Sequence, residues 1–149
     1  MTQYTYLASP IKLPTVTLGL NPVSPDKPNE FATELDFTHL YFEGNYDKED
    51  GKRHSYSAHF TFKNQVAFMN SHVPLRHEID GSRAERKCLN ILYSYLDEAI
   101  TRGGMLEMFT CISGQEERAL ERKKSIRWQD IRDPYDLVMS DREFWSITL

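Results

Sequence analysis

The stretch that decides the fold class is SRAERKCLNILYSYLDEAITRGG, residues 82–104. Ser82 and Glu85 have the spacing of a capping box, in which each side chain accepts a hydrogen bond from a free backbone N–H. Apolar residues then recur at steps of three and four, which makes one apolar stripe along a helix. They are Ala84, Cys88, Ile91, Leu92, Tyr95, Leu96 and Ala99. The terminal Gly-Gly pair stops the pattern, so the sequence predicts an amphipathic helix from Ser82 to Arg102.

A β-hairpin is predicted upstream of this helix, from about Glu34 to Lys63. Asp50 and Gly51 supply turn residues that tolerate a positive φ. Alternation along the two strands places large rings on one face and smaller groups on the other. The predicted core face carries Leu35, Phe37, His39, Tyr41, Tyr56, Ala58, Phe60 and Phe62, and the opposite face carries Thr38, Leu40, Phe42, Ser55, Ser57, His59 and Thr61.

Three more elements are predicted after the helix. MLEMFTCIS, residues 105–113, is apolar on both alternating sets, as in a strand near the middle of a sheet. Ser113 and Glu116 repeat the capping-box spacing, so QEERALERKKSIRW, residues 115–128, is expected to begin as a second, shorter helix. The tail, residues 136–149, is expected to form two short strands.

The first 30 residues are predicted to form a proline-rich extended arm. Five of the seven prolines fall in the first 28 residues, a density that helices and central strands do not absorb. Within the arm, TVTLGL, residues 15–20, alternates like an edge strand that pairs with its own sheet or with a second copy. Residues 31–149 are expected to form a single α+β domain.

The fold class predicted from these elements is α+β, with an antiparallel or mixed sheet, one long helix packed on one face and a second shorter helix. Hydrophobic residues at 40% and charged residues at 27% are typical of globular chains. The net charge of -4 argues against a surface built as a whole to bind nucleic acid or anionic membrane. No apolar run is long enough to span a bilayer and no secretory leader is evident, so we expect a cytoplasmic protein.

One catalytic pattern occurs in the sequence. AHFTF, residues 58–62, matches one half of the signature of two-histidine phosphoesterases, in which a histidine transfers a proton and a threonine holds a phosphate oxygen. Such enzymes need the motif twice, and no other histidine here has Ser or Thr two positions later. We therefore expect His59 to be hydrogen-bonded on the less apolar face of the sheet, with catalysis by His59 and Thr61 as the alternative.

No metal site and no cofactor are predicted. His72 and His77 are five positions apart with Pro74 between them, whereas a helical site would place its ligands three or four apart. The two cysteines lie in apolar patterns without Cys-x-x-Cys spacing, which favours buried free thiols.

Two charged segments are the candidate binding surfaces. Residues 114–132 hold a local excess of positive charge beside a tryptophan, which suits an RNA backbone or an acidic protein surface. The alternative interpretation is a solvated helix with a core tryptophan. The candidate binding residues are Arg118, Arg122, Lys123, Lys124, Arg127 and Trp128, together with Asp47, Glu49 and Asp50 of an acidic turn.

The function predicted first is that of a small protein-interaction module, of the kind represented by inhibitor or immunity-type proteins that occupy another protein's site. The chain is compact and acidic, and it lacks a complete catalytic set. The alternatives are a phosphoesterase or nuclease using His59 and Thr61 with the basic segment, and an RNA binder without catalysis. A homodimer joined through the arm is compatible with all three.

Overall fold

A mixed β-sheet with one long helix on one face forms the frame of the protein. The computed structural model describes residues 2–46, 49 and 51–149, and within these residues seven strands form the sheet. The strands are β1 (Gln3–Ser9), β2 (Val16–Leu18), β3 (Leu40–Gly44), β4 (Asn64–Met69), β5 (Met105–Ile112), β6 (Arg122–Arg127) and β7 (Glu143–Thr148), in the order β2-β3-β4-β1-β5-β7-β6. Neighbours are antiparallel, apart from the parallel pair β6 and β7. The predicted α+β class is confirmed.

The helices are α1 (Glu34–Phe37) and α2 (Arg83–Gly103), and three short 3-10 turns occupy Arg76–Glu78, Trp128–Asp130 and Pro134–Leu137. The predicted long helix is confirmed as α2. Ser82 Oγ accepts from the Glu85 backbone N–H at 3.1 Å, and Gly104 ends the helix with a φ of 80°. The Glu85 carboxylate does not complete the capping box, because it accepts from the backbone N–H groups of Asp80 and Gly81 instead.

The main core lies between α2 and one face of the sheet, called here the helix side. The buried face of α2 presents Cys88, Leu89, Leu92, Tyr95, Leu96, Ala99 and Ile100. The Tyr95 ring stacks on Phe42 of β3 with centroids 3.9 Å apart. Each large side chain buried here contributes about 1.5 to 3 kcal/mol of transfer free energy. This packing decides which face of each strand meets α2.

A smaller aromatic cluster covers the opposite side of the sheet, called here the loop side. Tyr6, Phe109 and Phe144 form its buried centre. Tyr56 and Phe60, from the chain between β3 and β4, pack on this centre with ring centroids 5.1 Å from Tyr6 and 5.7 Å from Phe144. Both faces of the middle strands are therefore covered.

The predicted hairpin is wrong in its second strand and in its sidedness. β3 pairs with β4, and residues 52–63 form no strand. Leu40 and Phe42, at 2% and 0% exposure, face the core, whereas Tyr41 is 50% exposed. The faces are reversed because α2 covers the side that carries Leu40 and Phe42.

Residues 54–62 cross the loop side as an irregular segment held by side-chain acceptors. Gln65 Oε1 accepts from the Tyr56 N–H at 2.7 Å. The buried Glu107 carboxylate accepts from the N–H groups of Thr61 and Phe62 at 2.9 and 3.1 Å. A backbone whose donors are satisfied in this way does not need a strand partner, which explains why an alternating sequence is not a strand here.

The predicted arm is also wrong for residues 3–9. These residues form β1, which lies between β4 and β5 in the middle of the sheet. The prolines begin at Pro10, one residue after the strand ends. β2 is the predicted edge strand, and it pairs with β3 of the same chain. Residues 3–9 are therefore not part of a free arm, and the homodimer stays a prediction.

The second helix is not where the sequence placed it. Residues 115–128 contain β6 instead of a helix, and the short helix of the fold is α1. Only Ala119 and Leu120 offered an apolar face to a helix there. β5 is the predicted central strand, and β7 is the last predicted strand, whereas residues 134–137 form a 3-10 turn where another strand was expected.

Candidate interaction surfaces

Four of the five candidate basic residues lie on an edge of the sheet, and Arg118 lies exposed in the loop before it. β6 is the last strand in the order, and within the described residues its one strand neighbour is β7. Its sequence is RKKSIR, and four of its six residues are exposed. An edge strand presents unpaired N–H and C=O groups that another extended chain can pair with. Backbone pairing capacity and positive charge therefore coincide on β6.

The four cations of β6 differ in their surroundings. Lys124 Nζ lies 3.5 Å from the Glu143 carboxylate, and Lys123 Nζ lies 5.6 Å from the centroid of the Phe144 ring. Arg122 and Arg127 are exposed, and within the described part of the chain neither forms an ion pair. Arg122, Lys123 and Arg127 are thus the charges available to a partner.

Trp128 is not part of that surface. Its side chain is 7% exposed, packs against Tyr93, and donates from Nε1 to Asp97 Oδ1 at 2.8 Å. A base could stack on this ring only after Trp128 left the core. Trp128 is therefore a core residue, as the alternative interpretation expected. The basic segment before it is a strand and not the solvated helix of that interpretation.

A buried carboxylate anchors the end of β7 beside β6. Glu143 is fully buried and accepts hydrogen bonds from Arg76 Nη1 at 3.1 Å, the Ser140 N–H at 3.0 Å and Trp145 Nε1 at 2.5 Å. Burial by itself raises the pKa of the Glu143 carboxyl, but the bonds from Arg76, Trp145 and Ser140 outweigh it and hold the pKa below its usual value. The charged form is the stable one here.

His59 is held by backbone and ring contacts. Its Nε2 lies 2.7 Å from the Arg118 carbonyl oxygen, so Nε2 carries the proton and donates. The ring meets Phe109 edge-on at 5.4 Å. Among the described residues, neither a carboxylate nor a second imidazole hydrogen-bonds to this ring. The Thr61 side chain lies on an exposed stretch, while its N–H is bound by Glu107.

Two other histidines come together where the sequence did not predict it. His39 and His72 line one cavity of about 570 Å³, with Arg83 at the start of α2. The His39 Nδ1–H donates to the Phe37 carbonyl oxygen at 2.6 Å. Within residues 2–46, 49 and 51–149, no group of three or more His, Cys, Asp or Glu side chains is arranged to hold a metal ion.

The acidic turn falls largely outside the described residues. Asp47 and Asp50 are not described, and Glu49 is exposed. The prediction that this turn is a contact surface therefore stays a prediction.

Both cysteines are free and buried, as predicted. Burial raises the pKa of the Cys88 thiol to about 11 and that of Cys111 to about 12. Thiols held in the protonated form are poor nucleophiles.

In the described part of the chain, no helix is both long enough and apolar enough to span a bilayer.

Sequence reasoning missed an apolar groove on the exposed side of α2. The groove has a volume of about 640 Å³ and lies between α2 and residues of β2 and α1. Leu18, Leu35 and Ile91 form its apolar surface, and Arg83 and Arg86 stand at its rim. Arg83 and Arg86 belong to the polar face of the helical pattern, and no sequence signal indicates an apolar neighbour beside them.

Comparison with known proteins adds no functional assignment to this geometry. No family model, no curated protein and no solved structure matches the chain.

Proposed function

We propose that this protein is a protein-interaction module that pairs an acidic, extended segment of a partner with its edge strand β6. The observation that carries the proposal is the coincidence of an unpaired strand edge with the exposed cations Arg122, Lys123 and Arg127. Strand addition supplies affinity through main-chain hydrogen bonds, and side chains on alternate positions supply specificity. Cations on the edge select a partner segment with carboxylates.

The same cations disfavour pairing of β6 with the β6 strand of another copy. Like charges facing each other across two strands are destabilising, and charged residues are a common protection of sheet edges. An acidic strand reverses the sign of that interaction. β6 therefore discriminates between self-association and a complementary partner.

Two side chains of β6 are anchored to the structure beneath the strand. Ile126 of β6 packs against the helix-side core, and Lys124 is held by Glu143. A rigid edge loses little conformational freedom when a partner strand binds. An inhibitor or immunity-type protein that covers another protein's site would use the edge in this way. We propose that the protein acts in the cytoplasm, where free thiols such as Cys88 and Cys111 persist.

Catalysis and RNA binding receive less support. The His59 ring donates to a carbonyl oxygen and has no proton-transfer partner among the described residues. The ring of Trp128, which was the candidate stacking platform, is buried.

The test adds a synthetic peptide in which Glu and Val alternate and measures amide hydrogen exchange of the protein with and without the peptide. We expect binding to slow exchange at β6 amides, since backbone pairing protects N–H groups that are otherwise open to water. The triple variant Arg122→Glu, Lys123→Glu, Arg127→Glu should weaken binding by about tenfold, because Lys123 and Arg127, which lie on one face of β6, lose favourable pairs with the Glu side chains and become repulsive.

The matched control carries the same change of charge away from β6, as Lys63→Glu, Arg102→Glu and Arg132→Glu at exposed positions. Equal loss of binding in both triple variants would show attraction by net charge alone and would refute pairing at β6. Absence of protection at β6 amides in the bound state would refute it as well.

A further inference from the structure

The groove beside α2 is a second surface with the composition of a binding site. Its apolar residues come from three elements, with Leu18 on β2, Leu35 on α1 and Ile91 on α2. Each of the three side chains is half-buried, so each retains apolar area open to solvent. Apolar surface contributed by separate elements and left uncovered at the centre of a groove is the usual anchor of an interface.

Lys87 joins the two sides of the groove. Lys87 Nζ donates to the carbonyl oxygens of Gly19 and Leu35 at 2.6 and 2.5 Å. These bonds fasten the chain between β2 and α1 to the helix. Gly19 permits the close approach, because a Cβ atom there would lie 2.7 Å from Ile91 Cδ1. The groove is therefore a built feature of the fold.

Its charge has one sign. Arg83, Arg86 and Lys87 line the groove, and in the described part of the chain no carboxylate lines it or forms an ion pair with these three side chains. This concentration of cations stands out in a chain whose net charge is -4. The complementary occupant has carboxylates around an apolar stripe.

We infer that the groove binds an amphipathic helix of another protein, with an apolar stripe facing Leu18, Leu35 and Ile91 and acidic residues facing Arg83 and Arg86. Along α2 the lining extends from Arg83 to Ser94. At 1.5 Å per residue this is roughly 17 Å, the length of about three helical turns. Helices that bind in grooves present anchors at positions i, i+3, i+4 and i+7 over such a length. This site is separate from β6.

The inference is tested with a stapled 15-residue helical peptide that carries Leu at positions 1, 4, 5, 8 and 12 and Glu at its flanking positions. Binding is followed by NMR chemical shifts of the whole protein. We expect shifts at the groove residues and not at β6. Arg83→Glu with Arg86→Glu should weaken binding by about tenfold or more, because two exposed cations become repulsive. Ile91→Ser should also weaken it, by removing apolar contact.

The control variant, Lys63→Glu with Arg132→Glu, has the same net charge and alters exposed positions outside the groove. The control variant should bind the stapled peptide with an affinity within about twofold of the wild type. A second control is a peptide of the same composition with its leucines spread around the helix. The wild-type protein should bind this peptide at least about tenfold more weakly than the stapled peptide with the apolar stripe. The inference is overturned by equal loss in both double variants, by equal affinity for the two peptides, or by shifts centred on β6. Sedimentation of the wild type and of the double variant Arg83→Glu, Arg86→Glu measures the oligomeric state. If the wild type is a dimer and the double variant is a monomer, a second copy of the chain occupies the groove, and the inference is wrong.

Discussion

Replacing Glu143 by Gln is expected to destabilise the fold far more than an ordinary Glu→Gln change. The carboxylate is fully buried, and it accepts from Arg76, Ser140 and Trp145 while Lys124 lies 3.5 Å away. Gln keeps the volume but offers one acceptor oxygen, and its NH₂ group must face groups that are themselves donors. At least two hydrogen bonds to a charged acceptor are lost.

The magnitude follows from those bonds. Each hydrogen bond to a charged group contributes about 1.5 to 3 kcal/mol. Arg76 and Lys124 are 39% and 42% exposed, so water can reach both cations in the variant and limits the loss. We expect the free energy of unfolding to fall by about 3 kcal/mol, which at about 2 kcal/mol per molar urea moves the midpoint by roughly 1.5 M.

The matched control is Glu121→Gln. Glu121 pairs with Arg142, but its side chain is 61% exposed, and exposed ion pairs contribute at most about 1 kcal/mol. If Glu143→Gln and Glu121→Gln shift the urea midpoint equally, the buried-carboxylate reasoning is wrong.

The pH dependence gives an independent check on the same residue. The pKa of Glu143 is lower in the folded state than in the unfolded chain, so its ionised form stabilises the fold above the unfolded value of about 4.3. This contribution is lost as the pH falls through the folded pKa. The stability gap between wild type and Glu143→Gln should therefore be widest near neutral pH and narrow in acid. A gap that stays constant from neutral pH to about pH 3 would contradict the assignment.

Three further changes test other parts of the fold. Gly19→Ala should lower the free energy of unfolding by about 2 kcal/mol, because φ is 109° and the new Cβ would meet Ile91 Cδ1 at 2.7 Å. The control is Gly81→Ala, which should lower it less, because φ is 72° but the space around the new Cβ is open. Equal urea midpoints for the two variants would show that the contact with Ile91 plays no part. Glu107→Ala should speed amide exchange over residues 54–62, because two N–H groups lose their acceptor; unchanged exchange would show that aromatic packing alone holds the segment. Both cysteines should react with a thiol reagent at neutral pH at the rate of unfolding, because both are buried and inaccessible to the reagent and burial also raises the pKa of each; fast reaction in native buffer would place one of them at the surface.

The parts of the fold that follow a local pattern could be predicted from the sequence. The stripe of α2 and its Ser82 cap depend on residues within a few turns of each other, and both are present. β5 was recognisable because both of its faces are apolar. These signals need no knowledge of what the element packs against.

The errors arise where distant residues decide. Both alternating sets of β3 contain aromatic side chains, so the buried face depended on the position of α2. Residues 54–62 alternate like a strand, but acceptors on Gln65 and Glu107 satisfy their backbone. The groove beside α2 could not be predicted from the sequence either, because Leu18, Leu35 and Ile91 come together only when the chain has folded.

The position of β1 also constrains how the chain can reach this structure. Tyr4 pairs with Met69 on one side and with Cys111 on the other. During synthesis both edges of β1 therefore stay unpaired until the ribosome has released β4 and then β5. Pairing of strands so far apart in the sequence makes folding slow. Until then the nascent chain exposes the unpaired strand to chaperones and to neighbouring chains.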